Sequence, residues 1–172
     1  MTNRDDVKRL AATALSEMGR VDVLVNNAGS NVPEEIDSIT DENWDRIIEL
    51  NLSSCMALTR DLVPQMKERG WGRVIHISSI MGLVSKEGRN AYSATKSALL
   101  GLTRASALDL GAHGITVNAI APVAKTRMTE GAFDTSGMAL PEDNSPIVAW
   151  LASEEAGDVT GRMIEIDGSL IT

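Results

Sequence analysis

Gly72-Arg-Val-Ile-His-Ile-Ser-Ser79 runs through Ile80-Met-Gly-Leu-Val-Ser-Lys-Glu-Gly-Arg-Asn-Ala91 into Tyr92-Ser-Ala-Thr-Lys96. The first segment is a short apolar run rich in β-branched residues and reads as a strand. The second is a glycine-punctuated loop, and the third opens a segment rich in Ala, Ser, Gly and Leu that extends to Leu110 as a helix. With Ala91 to Leu110 helical, Tyr92 and Lys96 stand one above the other on a single face. A neighbouring ammonium favours phenolate and lowers a tyrosine pKa from about 10 towards the working range of a general acid or base. Ser79, brought in from the strand end, can hydrogen-bond the group that receives or gives the proton. The pattern points to proton transfer at an oxygen, against the plainer reading of a solvated surface pair.

The flanking segments repeat the strand–helix alternation. From Asp5 to Met18, Val7, Leu10, Ala11, Ala14, Leu15 and Met18 follow helical spacing, and Gly19 supplies the stop. Val21-Asp-Val-Leu-Val-Asn26 reads as a buried strand closed by Asn27-Ala28-Gly29. Thr40 caps a helix that runs through Trp44, Ile47, Ile48 and Asn51 to about Glu68; Pro64 is expected to kink or break it, and Gly70 ends it. Ile115 to Pro122 is a third strand, and Val123 to Asn144 a polar connection suited to covering a ligand. Ser145 to Ala152 is a short helix and Arg162 to Gly168 a last strand. Alternating strands and helices imply an α/β fold: a parallel, doubly wound sheet with right-handed crossovers and helices on both faces. Ligands bind beyond the carboxyl ends of the strands in such sheets, and Asn27-Ala28-Gly29, Ser79 and Pro122 all fall there.

Composition narrows the function classes. The 172 residues suit one domain, and 43% hydrophobic residues suffice for a substantial core. A formal net charge of -8 with no dense Lys/Arg run argues against a nucleic-acid partner. Cys55 is the only cysteine, so no internal disulfide and no cysteine-based zinc site is expected; His76 and His113 lack ligand spacing and read as packing or surface residues. No metal is therefore expected. No apolar run approaches the roughly 20 residues needed to span a bilayer, and Met1-Thr-Asn-Arg-Asp-Asp carries no signal-peptide core. A cytoplasmic, reducing location without a membrane partner follows as the expectation.

Taken together, Asn26-Asn27-Ala28-Gly29, Asn51 in Glu-Leu-Asn-Leu, Ser79, Tyr92-Ser-Ala-Thr-Lys96 and Asn118-Ala-Ile-Ala-Pro122 closely resemble the short-chain dehydrogenase/reductase family. The resemblance runs nearly end to end. Ser79 stands 13 positions before Tyr92, the family's spacing, which favours it over Ser78. By resemblance, Tyr92 is the general acid in carbonyl reduction and the base in alcohol oxidation. Lys96 lowers its pKa and holds the nicotinamide ribose, Ser79 orients the substrate oxygen, and Asn51 holds a water linking Lys96 to solvent. The resemblance implies NAD or NADP, with Asn27, Ala28 and Gly29 on the adenosine side and Val123 and Thr126 at the nicotinamide end. It also implies a small-molecule substrate and a homo-oligomer, dimer or tetramer.

Departures from the family pattern shape the remaining expectations. The family opens on a strand, a glycine-rich turn and a helix whose backbone N–H groups receive the cofactor pyrophosphate. This chain has no Gly-x-x-x-Gly-x-Gly, and Met1-Thr-Asn-Arg resembles the end of the family's third strand. Residues 1–172 thus read as the C-terminal portion of a Rossmann-like domain with its first βαβαβ half, about 70 residues, missing. The Val21 to Asn26 strand is then left with an open edge, and the chain is expected to need a partner, its missing half or a rearranged surface. Arg127-Met-Thr-Glu and the path to Pro141 and Trp150 resemble the 3-hydroxyacyl-CoA dehydrogenase parts of multifunctional β-oxidation enzymes. The middle resembles 3-oxoacyl-[acyl-carrier-protein] reductases and sugar-acid dehydrogenases. Asp167-Gly168-Ser169 replaces the family's paired glycines. The expected activity is interconversion of a secondary alcohol and a ketone, on a 3-oxoacyl thioester or small carbonyl compound. The alternative is a catalytically silent assembly or binding module, supported by the missing phosphate site and the Ala/Ser/Gly-rich helix on which family members associate.

Overall fold

A computed structural model of the chain describes residues 1–129 and 135–166. Four parallel strands, β1 (Val23–Asn26), β2 (Gly72–Ile77), β3 (Ile115–Pro122) and β4 (Met163–Ile166), lie side by side in chain order. The expected last strand reached Gly168, and residues 167–168 and the Asp167-Gly168-Ser169 departure lie outside the described residues. Five α-helices among the described residues connect and precede the strands: α1 (Arg4–Met18), α2 (Asp41–Ile48), α3 (Ser54–Arg69), α4 (Asn90–Leu110) and α5 (Ser145–Leu151). The doubly wound α/β architecture is the one the alternation predicts.

Local chemistry explains the boundaries. The Asn3 side chain caps α1 by accepting the Asp5 backbone N–H at 2.8 Å, and Asp5 and Asp6 place negative charge at the helix's positive end. Val7 and Ala11, one turn apart, face inward. Thr40 caps α2 through the Asn43 N–H, at 3.2 Å.

Alternation along the strands builds two apolar layers. Leu24, Val74 and Val117 pack with Leu62 and Met66 of α3, Val7 of α1 and Leu110 of α4. On the opposite face, Ile75 and Ile120 pack with Leu151 of α5 and with Ala156. Each large aliphatic side chain taken fully out of water contributes roughly 1.5–3 kcal/mol, so both helix layers are held by burial on a shared sheet.

The long central helix departs from expectation. Pro64 does not end it: α3 runs unbroken from Ser54 to Arg69 with the proline inside. Proline removes the hydrogen bond to the carbonyl four residues earlier, here that of Arg60; both residues are exposed, so water can take that acceptor. The irregularity lies earlier, in a π-helical turn over Glu49–Ser53, where the Ser54 N–H donates to the Glu49 carbonyl five residues back.

β1 is an edge strand, as its sequence context predicts. Among the described residues no strand pairs with its outer side. Val25 is 40% exposed there, and an apolar groove of about 340 Å³, lined by Leu10, Met18, Val21, Leu24, Cys55 and Leu58, runs beside it.

Candidate active site

At the carboxyl ends of β1, β2 and β3 lies a cleft of about 1080 Å³ whose wall includes Ser79, Tyr92 and Lys96. β2 delivers Ser79, which leaves the strand with extended backbone and opens the turn Ile80–Gly82. Its Oγ accepts the Met81 N–H at 3.1 Å, which fixes the hydroxyl's position. Tyr92 stands in the first turn of α4. Burial pushes its phenol above the usual 10, while a hydrogen bond from Ser79 and the positive charge of Arg89 act in the opposite direction.

Lys96 follows Tyr92 one turn later on α4. Its Nζ donates to the Ile77 carbonyl at 2.6 Å and lies 5.6 Å from the centre of the Tyr92 ring. Burial lowers its pKa to about 8. Around Tyr92 desolvation of the phenol outweighs the influences that favour phenolate, of which the charge of Arg89 is one. The lysine's charge is directed at the strand end.

Close packing sets the relation between Ser79 and Lys96. Ser78 Oγ donates to the Lys96 carbonyl at 2.8 Å, tying β2 to α4. Gly82 lies against the same turn of helix, where an added Cβ would stand 2.9 Å from both the Lys96 carbonyl carbon and oxygen. Helix backbone yields little to such a contact. Gly82→Ala is expected to destabilise the fold by about 1–3 kcal/mol, read as a lower urea midpoint with unchanged slope; an unchanged midpoint would show that α4 does not rest on this glycine.

Asn51 lies fully buried in the π-helical turn. Its Oδ1 accepts the Ser30 N–H at 2.9 Å, and its Nδ2 donates to the Ser30 carbonyl at 2.9 Å and to Thr95 Oγ1 at 3.2 Å. Thr95 Oγ1 in turn donates to the Tyr92 carbonyl at 2.7 Å. The side chain thus fastens the β1 loop to α4. Gly29 makes room for it: a Cβ there would lie 3.3 Å from Asn51 Oδ1 and 3.5 Å from Lys96 Nζ.

Asn27, Gly29, Val123 and Thr126 share the cleft wall with Tyr92, whereas Ala28 lines the groove beside β1 and not the cleft. The Val123 N–H donates to the Ile166 carbonyl at 2.9 Å, and Thr126 is held by its N–H to Thr129 Oγ1 at 2.8 Å. Gly29 thus lies directly beside the Lys96 ammonium. For the pyrophosphate the chain supplies no glycine-rich turn. Arg89 and Thr95 were not singled out by the sequence reading. The available signal was spacing, since one precedes and the other follows Tyr92 by three positions, one helical turn.

Comparison with known proteins gives the class. Residues 1–137 match the short chain dehydrogenase family, and the chain belongs to it. This is a family of NAD(P)-dependent oxidoreductases. The chain is 33% identical to a 3-oxoacyl-[acyl-carrier-protein] reductase of Thermotoga maritima, aligning 99% of its own length with 74% of that protein. It is 34% identical to a D-beta-hydroxybutyrate dehydrogenase of Rhizobium meliloti, with 98% and 74% covered. It is 35% identical to an acetoacetyl-CoA reductase of Cupriavidus necator, with 96% and 72% covered. Among the described residues no helix is long and apolar enough to cross a membrane.

Proposed function

We propose that this chain carries the proton-transfer apparatus of an NAD(P)-dependent oxidoreductase that interconverts a secondary alcohol and a ketone, with a 3-oxoacyl thioester or related small carbonyl compound as substrate. The observation that carries the reading is the convergence of Ser79, Tyr92 and Lys96 on one cleft. The cofactor, when bound, supplies or accepts the hydride. Tyr92 gives its hydroxyl proton to the carbonyl oxygen in reduction and takes it back in oxidation, while the Ser79 hydroxyl steers that oxygen. Lys96 would hold the nicotinamide ribose beside Gly29, with Val123 and Thr126 at the nicotinamide end. Asn51 and Thr95 keep Tyr92 and the β1 loop in fixed relation. The exposed small residues Ala94, Ala98, Gly101 and Ala105 along α4 support association of copies into a homo-oligomer.

A second reading, a catalytically silent module, is favoured by one observation: the uncovered edge of β1 with its apolar groove. One experiment separates the two. The chain is titrated with NADH and with NADPH while tryptophan fluorescence is followed, then supplied with acetoacetyl-CoA. Quenching at micromolar cofactor with loss of the reduced-nicotinamide absorbance is the expected result. No binding of either nucleotide would favour the module.

A further inference from the structure

Beyond β3 the chain leaves the sheet, and an irregular segment must satisfy its backbone polar groups locally. The Val123 N–H still donates to the Ile166 carbonyl at 2.9 Å, and the Lys125 N–H donates to the Ala139 carbonyl at 2.8 Å. From Thr126 to Thr129 two threonines serve one another's turn. The Thr126 N–H donates to Thr129 Oγ1 at 2.8 Å, and the Met128 N–H donates to Thr126 Oγ1 at 3.3 Å. The Thr129 N–H closes the turn on the Thr126 carbonyl at 2.9 Å. Thr129 Oγ1 also has two carbonyls within reach of its single hydrogen, that of Thr126 at 2.9 Å and that of Ala124 at 3.2 Å.

One hydroxyl therefore meets three backbone groups of the stretch that walls the cleft. Val123, Ala124 and Thr126 all line it, while Lys125 and Arg127 are exposed. A valine of the same shape at position 129 would take the acceptor from the Thr126 N–H, and no helix or strand ladder runs there to replace it. A segment that faces a ligand binds it best when its shape is set before the ligand arrives. We propose that Thr129 is a positioning residue: acting through Thr126, its hydroxyl holds residues 123–126 in the shape that receives the nicotinamide end of the cofactor. This inference rests on the reading of the cleft as an NAD(P)-dependent alcohol–ketone site with Val123 and Thr126 at that end.

Wild type, Thr129→Val and Thr129→Ser are compared in two measurements. In the ligand-free chain, amide hydrogen exchange at Thr126 is expected to quicken by about three- to tenfold in Thr129→Val, with the Val123 amide unchanged on its Ile166 carbonyl. In titrations with NADH and NADPH, the Kd of the tighter ligand should rise by about three- to tenfold. That of ADP-ribose, or of its phosphorylated form where NADPH is the tighter ligand, should stay within about twofold, because it lacks only the nicotinamide. Thr129→Ser keeps the hydroxyl and should restore both values. Should Thr129→Val melt below the assay temperature, Thr129→Ala carries the same comparison. Unchanged exchange at Thr126, an equal loss of affinity for ADP-ribose, or no rescue by serine would overturn the assignment. A wild type that binds the intact cofactor more tightly than ADP-ribose, matched by Thr129→Val in both measurements, would sink the positioning role and leave the oxidoreductase reading standing. A wild type that binds the intact cofactor no more tightly than ADP-ribose would sink that reading, and the role with it.

Discussion

Tyr92→Phe is expected to lower kcat/KM for ketone reduction by about two to four orders of magnitude, the usual contribution of a positioned general acid. The fold should be retained, because the change removes only a hydroxyl. The backbone contact that anchors this turn of α4, the Thr95 hydroxyl on the Tyr92 carbonyl, is untouched. Ser79 keeps its bond from the Met81 N–H. Burial holds the phenol above its usual pKa, so at neutral pH it is protonated and ready to act as an acid, whereas the oxidation needs it as a base. The wild-type oxidation rate should therefore climb with pH on the alkaline side while the reduction rate does not. Steady-state rates in both directions, with a thermal melt of the variant, check this. A variant that retains its rate within about threefold would remove Tyr92 from the acid's role.

Acidification from pH 6.5 to about 4 is expected to cost the fold roughly 3 kcal/mol through His76 alone. His76 is fully buried in β2, and its Nδ1 lies 3.1 Å from the Nδ2 of Asn26 on β1. With that amide as donor, Nδ1 is the acceptor and the proton sits on Nε2, which has no partner among the described residues. Burial, reinforced by the positive charge of Lys96, lowers the pKa from 6.5 to about 4. The folded value lies below the unfolded one. In that window the unfolded chain therefore takes up a proton that the native state refuses. Stability attributable to His76 is full above pH 6.5, declines as pH falls and levels off below about 4. Urea midpoints for the wild type and for His76→Gln, compared at neutral and at mildly acidic pH, isolate the effect. The variant should show the smaller decline, and parallel declines would exclude His76 as its source.

The order and type of the elements were legible because each obeys a period: Val7 and Ala11 at helical spacing, Leu24 and Asn26 alternating with Val25, Ile115 to Pro122 as one buried run. The uncovered β1 edge was legible too, since its expected neighbour has no counterpart in the sequence. What escaped depends on contacts between distant segments. Glu-Leu-Asn-Leu-Ser carries no local mark of a π-turn; the fold exchanges one ordinary hydrogen bond there while the buried Asn51 side chain bonds Ser30 and Thr95. Pro64 was read by its missing donor alone, and the exposure of the freed Arg60 carbonyl is a tertiary fact. Tyr92 and Lys96 were correctly set on one helix, but spacing does not reveal that Ile77 supplies a nearer acceptor for the ammonium. Arg89 went unremarked within the glycine-punctuated loop, and it is a bridge from Glu34, 55 positions earlier, that holds its backbone at the cleft wall.

The Lys96–Ile77 contact has one more implication, which concerns entropy. A free lysine carries about 2 kcal/mol of rotamer freedom, and a ligand that captures one must ordinarily immobilise it. Here the strand-end carbonyl has already stilled the chain during folding, yet it occupies only one of the three ammonium hydrogens. A ribose arriving beside Gly29 would meet a donor that is pre-aimed, and most of the ordering would not be charged to its affinity.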